Sequence, residues 1–386
     1  MITSLYHDAL IIGGGPAGST LAIALANAGR QVVLIERSER PQHKVCGEFL
    51  SPESLPLLRH HGIHPEQLGA QTIHSVRVAA RDVLAEVLLP APALSLTRQV
   101  LDEALLRRAQ KSGVSLLRGY TAESLSHQPG RETSDLWWAQ ITDSTHTSIS
   151  IQAADAFLAT GKHDLRGWSR SPKGTQSGLI ALKMYFTLSP EQQAKLAGYV
   201  EIILYEGGYA GLQMVEGGCA NLCALITREK LQSLEGRWDH LLDHMQTHSA
   251  HLACRLRGAV PILERPMAIS SIPYGYCAEG STNDPSPWRL GDQAAVIPSF
   301  SGDGMALALY TAYRAAQLYL EGSTPAAFHQ EVRNQFERRL YFGTILSRLL
   351  IAIPSLAQAV RLWPSVLSEI FTVTRVPDAA IRAASP

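Results

Sequence analysis

Three kinds of hydrophobic pattern follow one another along the chain. Near the N-terminus, a short apolar run at 8–12 predicts a buried strand, the stretch 16–29 predicts a helix that ends at Gly29, and 31–36 predicts a second strand. A strand, a helix and a strand within 29 residues make one βαβ unit. The two strands of such a unit are parallel, because the helix carries the chain back across the sheet.

A similar pattern continues further along the chain. Apolar positions three and four apart predict a helix at 97–113, ended by Gly113, and the following VSLL predicts another parallel strand. The stretch 135–151 predicts two antiparallel strands, DLWWAQI and TSISI. A separate strand at 155–160 should then return to the first sheet.

The stretch 175–280 has a different pattern. Strand-like runs such as LIALKMYFTL and CANLCALI are separated by turn sequences such as EGG, and they predict a largely antiparallel sheet inserted into the first unit. After it, 288–320 predicts a strand, a loop and a long helix. The stretch 325–375 predicts further helices, broken at Pro354 and Pro364.

The composition is that of a globular protein with a large core. Of 386 residues, 46% are apolar and 18% charged, and the 34 basic residues equal the 34 acidic residues in number. This length suits two or three domains. A balanced surface gives no reason to expect nucleic acid or an acidic membrane as the main partner.

The cysteines and the termini favour a cytoplasmic protein. Five cysteines at irregular spacing argue against a disulfide framework and for a reducing compartment. The apolar run at 9–12 is too short for a signal peptide, and the longest uncharged C-terminal stretch, 349–360, is too short to span a bilayer. Peripheral membrane contact is therefore not expected. The scattered histidines predict no metal site.

The first motif with chemical meaning is GGGPAG, which gives Gly13-x-Gly15-x-x-Gly18 between the first strand and the first helix. Gly13 permits a tight turn, Gly15 lets the backbone approach a pyrophosphate, and Gly18 lets the helix pack close to the strand. The helix N-terminus offers free N–H groups to phosphates. Glu36 ends the second strand, 18 residues after Gly18, where a carboxylate can bind ribose hydroxyls. Together these features predict a dinucleotide-binding site.

The second motif is WRLGDQAAVIPSFSGDGMALALY at 288–310. Asp292 follows a predicted strand and could bind a hydroxyl of a sugar chain. A helix that starts near Gly304 would point its positive end at a ring that gains negative charge on reduction. Taken alone, an ordinary loop-to-helix capping motif explains this stretch equally well.

These motifs, at the two ends of a chain with a β unit between them, resemble the FAD-dependent superfamily of aromatic hydroxylases, geranylgeranyl reductases and flavin-dependent halogenases. The resemblance covers about 8–320 and implies an α/β fold like that of para-hydroxybenzoate hydroxylase. Its parts are a Rossmann-like FAD-binding domain of the GR2 type, an inserted antiparallel β-sheet substrate domain and a helical C-terminal region. The implied boundaries are 1–70, 95–170 and 285–325 for the FAD-binding domain, 71–94 and 171–284 for the substrate domain, and 326–386 for the C-terminal region.

The resemblance also implies which residues bind FAD. The glycines of the first motif and Glu36 would hold the ADP half, Asp292 would bind the ribityl–pyrophosphate region, and 302–305 would lie beside the isoalloxazine. An arginine that opens a helix reading R-x-x-L-D, here Arg98, would reach the pyrophosphate or the flavin edge; alternatively it is a solvated helix-start residue. The full predicted set is Gly13, Gly15, Ala17, Gly18, Glu36, Arg37, Arg98, Asp292, Pro298, Gly302, Gly304 and Met305.

Two departures from the superfamily concern the electron donor and halogenation. Hydroxylases carry an Asp-Gly pair linked to NAD(P)H binding before the insertion, whereas this chain has Thr160 in ATGKHDLRG. With one dinucleotide fingerprint, NAD(P)H would bind transiently, or a separate reductase or carrier protein would supply electrons. Halogenases carry W-x-W-x-I-P, but the similar region at 207–218 lacks both tryptophans. Trp137 and Trp138 are adjacent and cannot replace that pair, so halogenation is not expected.

The stretch VCGEFLSP at 45–52 should pass close to the flavin. It resembles both the Cys-Gly-Gly run of geranylgeranyl reductases and the G-E-S-L-x-P run of halogenases. Cys46 is a candidate proton donor or relay, or else a small residue packed beside the ring. Glu48 is a candidate proton relay, or else the partner of a salt bridge or a helix-start charge. No residue outside this stretch is proposed as catalytic.

The leading hypothesis is an FAD-dependent monooxygenase that hydroxylates a small aromatic or polyketide-like molecule through a flavin hydroperoxide. The first alternative is a flavin-dependent reductase of carbon–carbon double bonds in an isoprenoid or lipid. The second is a flavin-binding redox sensor without a substrate. A small apolar or aromatic substrate should lie between the flavin and the β domain, lined by apolar side chains of 179–188 and 211–215 and by Phe300.

Overall fold

The computed structural model describes residues 6–128, 136–172, 174–280, 285–353 and 375–376. The predicted helices and breaks at 354–374, with Pro354 and Pro364, lie outside the described residues. Residues 281–284, the predicted end of the substrate domain, also lie outside the described residues.

Strands and helices alternate in the first part of the described chain, whereas strands dominate its middle and helices its end. The strands in chain order are β1 (Tyr6–Ile12), β2 (Val32–Glu36), β3 (Phe49–Leu50), β4 (Gln71–Ala80), β5 (Val83–Ser95), β6 (Ser115–Arg118), β7 (Thr121–Gln128), β8 (Leu136–Thr142), β9 (Ser148–Leu158), β10 (Leu179–Thr187), β11 (Gly198–Tyr205), β12 (Gly208–Met214), β13 (Ala220–Thr227), β14 (Val260–Pro261), β15 (Met267–Ser270) and β16 (Trp288–Arg289). The α-helices are α1 (Pro16–Asn27), α2 (Ser54–His60), α3 (Arg98–Lys111), α4 (Pro190–Leu196), α5 (Arg228–Ser233), α6 (Trp238–His248), α7 (Ala250–Arg255), α8 (Gly304–Leu320) and α9 (Pro325–Ala352).

The first sheet has the order β6-β2-β1-β9-β8-β7, with β16 also paired to β9. Its strands β6, β2, β1, β9 and β16 are parallel, and β8 and β7 extend it in antiparallel fashion. The predicted βαβ unit is confirmed, as is the parallel strand after the helix α3. Every residue of β2 is buried, as expected for a parallel strand covered on both faces.

Two details of this sheet differ from the prediction. The second strand predicted within 135–151 and the strand predicted at 155–160 are one strand, because β9 runs unbroken from Ser148 to Leu158. Its first half pairs with β8 and its second half with β1, and no turn residue interrupts it. The strand β7 escaped prediction because it is an edge strand in which only Leu125 is buried, so its sequence has no apolar alternation.

The second sheet has the order β14-β10-β13-β12-β11-β4-β5-β3, with β15 also paired to β10. All of its pairings are antiparallel except that of β11 with β4. The largely antiparallel sheet predicted for 175–280 is therefore confirmed, and β4 and β5 join it from earlier in the chain.

The helices α1, α3 and α8 share one apolar core with the first sheet. This core includes Leu21, Leu105 and Leu309, and α9 adds Phe328 and Phe336 to it. The α/β fold with a Rossmann-like unit, a second sheet and C-terminal helices is thus confirmed. No helix of the described ranges is both long enough and apolar enough to cross a membrane.

Candidate functional site

A cavity of about 680 Å³ lies between the two sheets. It extends from the glycine turn after β1, past the turn that contains Cys46 and the start of α8, to one face of the second sheet. Most of the predicted site residues line it: Gly13, Gly15, Ala17, Glu36, Arg37, Cys46, Glu48, Arg98, Asp292, Gly302, Gly304 and Met305. Gly18 and Pro298 are not part of its lining.

The glycine turn has the geometry that its motif predicts. Gly13 has φ of +110°, and a Cβ there would lie 2.3 Å from the carbonyl oxygen of Ala159. A Cβ on Gly18 would lie 1.9 Å from the carbonyl oxygen of Gly13, so this glycine allows α1 to pack against the turn. Gly15 caps α1 without any side-chain hydrogen bond, which leaves the first helical amides free to face an anion in the cavity.

Glu36 lies at the end of β2 beside this turn. Its carboxylate accepts hydrogen bonds of 2.8 Å from the backbone amides of Gly14 and Ser38. Burial would raise the pKa of Glu36, but the Ser38 amide and the Lys44 ammonium, together with the Gly14 amide, hold it below its ordinary value. An ionised acceptor is therefore fixed next to the free amides of α1, as a ribose-binding carboxylate requires.

Arg98 is the first residue of α3 and lines the cavity beside the glycine turn. Its guanidinium forms two hydrogen bonds, of 2.7 and 2.8 Å, with the carboxylate of Asp102. Burial alone would lower the pKa of Arg98, but Asp102 raises it above its ordinary value. The Nη2 atom lies 3.3 Å from the position of a Cβ on Gly15, so this fixed cation faces the glycine turn.

The start of α8 forms a second free helix N-terminus on the same cavity. Asp303 caps the helix without a side-chain hydrogen bond to its amides, and a Cβ on Gly304 would meet nothing within 4 Å. Gly302 has φ of +73° and lies against the ring of Phe49. The carboxyl-bearing residue Asp292 lines the cavity between the two helix N-termini.

FAD fits this arrangement of donors and acceptors. Its pyrophosphate would find free amides and Arg98, its adenosine ribose would find Glu36, and its ring would find the open start of α8. These assignments, and the predicted roles of the individual residues, stay predictions that the experiments below address.

The turn that carries Cys46 is tied to the second sheet. The side-chain amide of Asn221, on β13, donates to the carbonyl oxygens of Cys46 and Gly47 at 3.2 and 2.9 Å. The ammonium of Lys162 donates to the carbonyl oxygen of Val45 at 2.7 Å. The Cys46 sulfur accepts a hydrogen bond from the backbone amide two residues later, and the thiol is free and partly exposed on the cavity.

Glu48 is the most constrained residue of this turn. It is fully buried with φ of +62°, a conformation that is unusual for a residue with a side chain. Its carboxylate lies 2.6 Å from the ammonium of Lys183 and accepts hydrogen bonds from the Tyr185 hydroxyl and the Arg98 amide. Burial raises the pKa of Glu48, and the Lys183 ammonium opposes that rise. The geometry is that of a salt-bridge partner, one of the three roles that the sequence predicts for Glu48.

The cavity wall formed by the second sheet is almost entirely uncharged. Its side chains come from one face of β4, β10, β11, β12 and β13. Side chains alternate between the two faces of a strand, so lining residues of one strand are mostly two positions apart. Lining residues of this wall are Val76, Ala181, Val200, Ile202, Tyr209, Gly211, Gln213, Cys223 and Leu225, with Met267, Ile269, Ile272, Tyr274 and Phe300 nearby. The predicted lining at 179–188 and 211–215 and by Phe300 coincides with part of this wall.

The titratable groups of that wall hold their protons at neutral pH. Burial raises the pKa of Tyr209 and of Tyr274 above its ordinary value. Burial also raises the pKa of Cys223 to about 11. The wall therefore offers hydroxyl groups as hydrogen-bond partners, and none of these three side chains is a base near neutral pH.

Several side chains of the site escaped prediction. The sequence pattern predicts only strands for the runs that contain Lys183, Tyr185 and Asn221, although a lysine inside IALKMYF is an unusual buried charge. That lysine was the available signal. Tyr209 and Tyr274 gave no signal, because tyrosine is common in strands.

One cluster outside the cavity has the composition of a metal site, although none was predicted. Candidate ligand atoms of Glu206, His244 and His248 lie within 4.8 Å of one another in the described part of the chain. They are also partners of protein groups: Lys230 pairs with the Glu206 carboxylate at 3.1 Å, and His244 hydrogen-bonds the Glu206 carbonyl at 2.9 Å. The cluster thus also serves to attach α6 to the turn between β11 and β12.

Comparison with known proteins supports FAD as the cofactor. Residues 6–151 match the family described as FAD binding domain. The menaquinone reductase of Mycobacterium tuberculosis is 26% identical over 325 residues, which are 81% of this chain and 76% of that protein. A flavin-dependent halogenase of Armillaria mellea is 26% identical over 342 residues, which are 79% of this chain and 65% of that protein.

Solved structures agree with this assignment at the level of the fold. A flavin-dependent brominase has a TM-score of 0.76 and 17% identity, and covers 98% of both chains. A geranylgeranyl bacteriochlorophyll reductase-like protein from Thermoplasma acidophilum has a TM-score of 0.74 and 19% identity, covering 98% of this chain and 95% of that one. Because halogenases stand among the relatives, the expectation against halogenation has no support from these comparisons.

Proposed function

We propose that this chain, which belongs to the FAD-dependent superfamily of monooxygenases, geranylgeranyl reductases and flavin-dependent halogenases, is a monooxygenase of a small apolar or aromatic molecule. That it is an FAD-dependent oxidoreductase follows from the matching FAD binding domain and the relatives. The observation that carries the finer proposal is a single cavity that joins the glycine turn to an uncharged wall of the second sheet.

The residues that would hold FAD are those around the two free helix N-termini. The amides of α1, Arg98 and Glu36 would bind its ADP half, and Asp292 and the start of α8 would bind the flavin half. When bound, FAD supplies the redox chemistry, because it accepts electrons from a donor and passes them to oxygen or to a substrate.

The second sheet would place the substrate and keep water out. Val76, Val200 and Ile202 present apolar side chains toward the cavity, and apolar contact of this kind holds an uncharged molecule without selecting a charge. The Cys46 turn is fixed between the two sheets by Asn221 and by the Glu48–Lys183 pair. A substrate between that turn and the wall would therefore have a constant position relative to the flavin.

The acid–base properties of the wall favour oxygen transfer over double-bond reduction. Reduction of a carbon–carbon double bond adds a hydride to one carbon and a proton to the other, and an acid whose pKa is near the working pH delivers that proton most efficiently. Tyr209, Tyr274 and Cys223 all have raised pKa values and are weak acids. Oxygen transfer to an electron-rich ring makes no such demand on the wall.

The second candidate is a reductase of an apolar unsaturated molecule, and Cys46 is the observation in its favour. Its thiol is free, partly exposed and on the cavity beside the wall, so it could deliver the proton that the wall lacks. The name of the menaquinone reductase relative also supports this candidate. For either reaction we propose that NADH or NADPH binds transiently, or that a separate reductase or carrier protein supplies electrons.

Oxygen separates the two candidates. The FAD-loaded protein is incubated with NADH or NADPH and a panel of alkylphenols and isoprenoid quinones, with and without oxygen, and products are identified by mass spectrometry. The monooxygenase proposal predicts oxygen uptake in step with substrate and one added oxygen atom in the product. Anaerobic saturation of a carbon–carbon double bond, seen as a product two hydrogens heavier that keeps its mass after reoxidation in air, would contradict it and support the reductase. A halogenated product in the presence of chloride or bromide would establish halogenation instead.

A further inference from the structure

The helix α6 covers the face of the second sheet that points away from the cavity. On β11 the side chain of Ile202 lines the cavity, and the next residue, Ile203, belongs to a separate apolar core together with Leu241 and Met245 of α6. Successive side chains of a strand point to opposite faces, so α6 and the cavity lie on opposite sides of the sheet. Groups on α6 can therefore bind a ligand without touching the flavin site.

Two histidines of α6 lie beside a carboxylate on this outer face. His244 and His248 are four residues apart on the helix, and their ring centroids are 4.2 Å apart. Glu206 is in the turn between β11 and β12, and one candidate ligand atom of each of the three residues lies within 4.8 Å of the others. The Glu206 side chain is 63% exposed and that of His248 is 27% exposed. An ion in solution can therefore reach both groups without any opening of the fold.

The hydrogen bonds of His248 turn a lone pair toward Glu206. Its Nδ1 atom donates to the backbone carbonyl of His244 at 2.8 Å, and because a carbonyl only accepts, the neutral ring carries its lone pair on Nε2. This Nε2 lies 3.5 Å from the Oε2 atom of Glu206. Two acceptors that face each other need a proton or a metal ion between them. A ring nitrogen that donates to a carbonyl is also the arrangement that orients metal-binding histidines.

The other contacts of the cluster leave ligand atoms available. Lys230 pairs with the Oε1 atom of Glu206 at 3.1 Å, so Oε2 remains for an ion. His244 donates from Nε2 to the Glu206 carbonyl at 2.9 Å, so a metal takes its Nδ1 lone pair or replaces that carbonyl as the partner of Nε2. The charge of the Lys230 ammonium opposes a bound cation and lowers its affinity.

We propose that His244, His248 and Glu206 bind a divalent transition-metal ion of the Zn²⁺ type. Two imidazole nitrogens and one carboxylate oxygen make a three-ligand zinc set, which water completes. Imidazole ligands disfavour Mg²⁺ and Ca²⁺, which prefer oxygen. The bound ion would connect α6 to the β11–β12 turn and so stabilise the second sheet. This inference goes beyond the proposed function, since none of the three residues lines the cavity.

Calorimetric titration of the FAD-loaded protein with ZnCl₂ and with MgCl₂ at pH 7.5, where most free imidazole is neutral, tests the proposal. The wild type should bind Zn²⁺ and not Mg²⁺, and His248→Ala should weaken Zn²⁺ binding by about tenfold or more. Lys230→Met removes the opposing charge and should tighten it. His240→Ala, on the same helix but beside Glu235, is the control and should leave the affinity unchanged. Zn²⁺ should also raise the urea midpoint of the wild type more than that of His248→Ala.

Four outcomes would overturn the inference. They are a wild type that binds no Zn²⁺, equal Zn²⁺ affinity in the wild type and His248→Ala, Mg²⁺ binding as tight as Zn²⁺ binding, and a loss of affinity in His240→Ala as large as in His248→Ala. Equal affinity in His248→Ala would place the ion at other groups, such as the free thiols, and a loss in His240→Ala would move the site along α6. Should His248→Ala fail to fold, His244→Gln gives the same comparison.

Discussion

Glu48 and Lys183 form a salt bridge of 2.6 Å in which both side chains are fully buried. It connects the Cys46 turn to strand β10 of the second sheet, and the Tyr185 hydroxyl and the Arg98 amide complete the hydrogen bonds of the carboxylate. Glu48 holds a left-handed backbone conformation, which costs about 1–3 kcal/mol and persists where surrounding contacts fix it. The pair therefore holds the Cys46 turn against the cavity wall formed by the second sheet.

Breaking this pair should destabilise the protein strongly. Lys183→Met leaves a buried carboxylate without its cation, and such a change typically costs about 3–5 kcal/mol. Urea unfolding of the wild type and the variant measures the loss. Lys195→Met removes an exposed partner of Glu191 and serves as the control, with no measurable change expected. Adding Glu48→Gln to Lys183→Met should recover much of the stability; failure of the second change to help would show that the charge is not the cause.

Closing the space behind the glycine turn should abolish FAD retention. Gly18→Ala places a Cβ 1.9 Å from the carbonyl oxygen of Gly13, so α1 must move away from the turn that presents its free amides. Flavin content after gel filtration should fall well below one equivalent. Gly178→Ala, where a Cβ meets no atom within 4 Å, is the matched control and should keep its flavin. Equal flavin in both variants would contradict the assignment of this turn.

Filling the space over β12 should block the substrate and spare the cofactor. Gly211→Leu projects into the cavity without meeting a protein atom near its Cβ, so we expect a folded, FAD-loaded protein whose affinity for apolar ligands falls at least tenfold. Ligand titration measures this, with Gly178→Leu as the control. An unchanged affinity would mean that ligands do not lie on this part of the wall.

Asp303 should make stability depend on pH. Burial, and secondarily the Glu53 carboxylate, raise its pKa from an ordinary 3.8 to about 7. The folded protein then keeps a proton that the unfolded chain releases above pH 3.8, so the contribution of Asp303 to stability falls as pH rises from about 4 to 7 and stays low above that range. Asp303→Asn cannot ionise. The variant should therefore be more stable relative to the wild type at pH 8 than at pH 5: the difference in unfolding free energy, variant minus wild type, should rise by a few kcal/mol between the two pH values.

Urea unfolding at the two pH values measures this difference, and most other groups cancel in the comparison. The Asp303 carboxylate accepts a hydrogen bond of 2.6 Å from the Val376 amide, so the variant also tests how that segment docks near α8. A difference between variant and wild type that is the same at both pH values would contradict the raised pKa.

Local patterns in the sequence were sufficient for the Rossmann-like part of the fold. The run from 8 to 36 gives its strands and helix through apolar spacing, and Gly13, Gly18 and Glu36 each have one role that follows from a turn, a close approach or a strand end. The residues in these relationships are close in sequence, so local sequence patterns are enough to predict them. The strands β10 and β13 were also predicted, from their strand-like runs and the turn sequences between them.

Relationships between distant segments were not accessible in the same way. Tyr185 meets Glu48 across 137 positions, and the parallel pairing of β11 with β4 joins segments that no local pattern links. The sequence around Glu48 is compatible with proton transfer and with a salt bridge, because it does not show that Lys183 lies beside the carboxylate.

Binding of FAD by the flavin-free protein tests the central claim most directly. Apoprotein is titrated with FAD and, separately, with FMN, and flavin fluorescence and absorbance report the bound fraction. The site predicts saturation at one equivalent of FAD, much weaker binding of FMN because it lacks the ADP half that Glu36 and the α1 amides would hold, and loss of FAD binding in Gly18→Ala. Absence of FAD uptake by the wild type, or equal affinity for FAD and FMN, would contradict it.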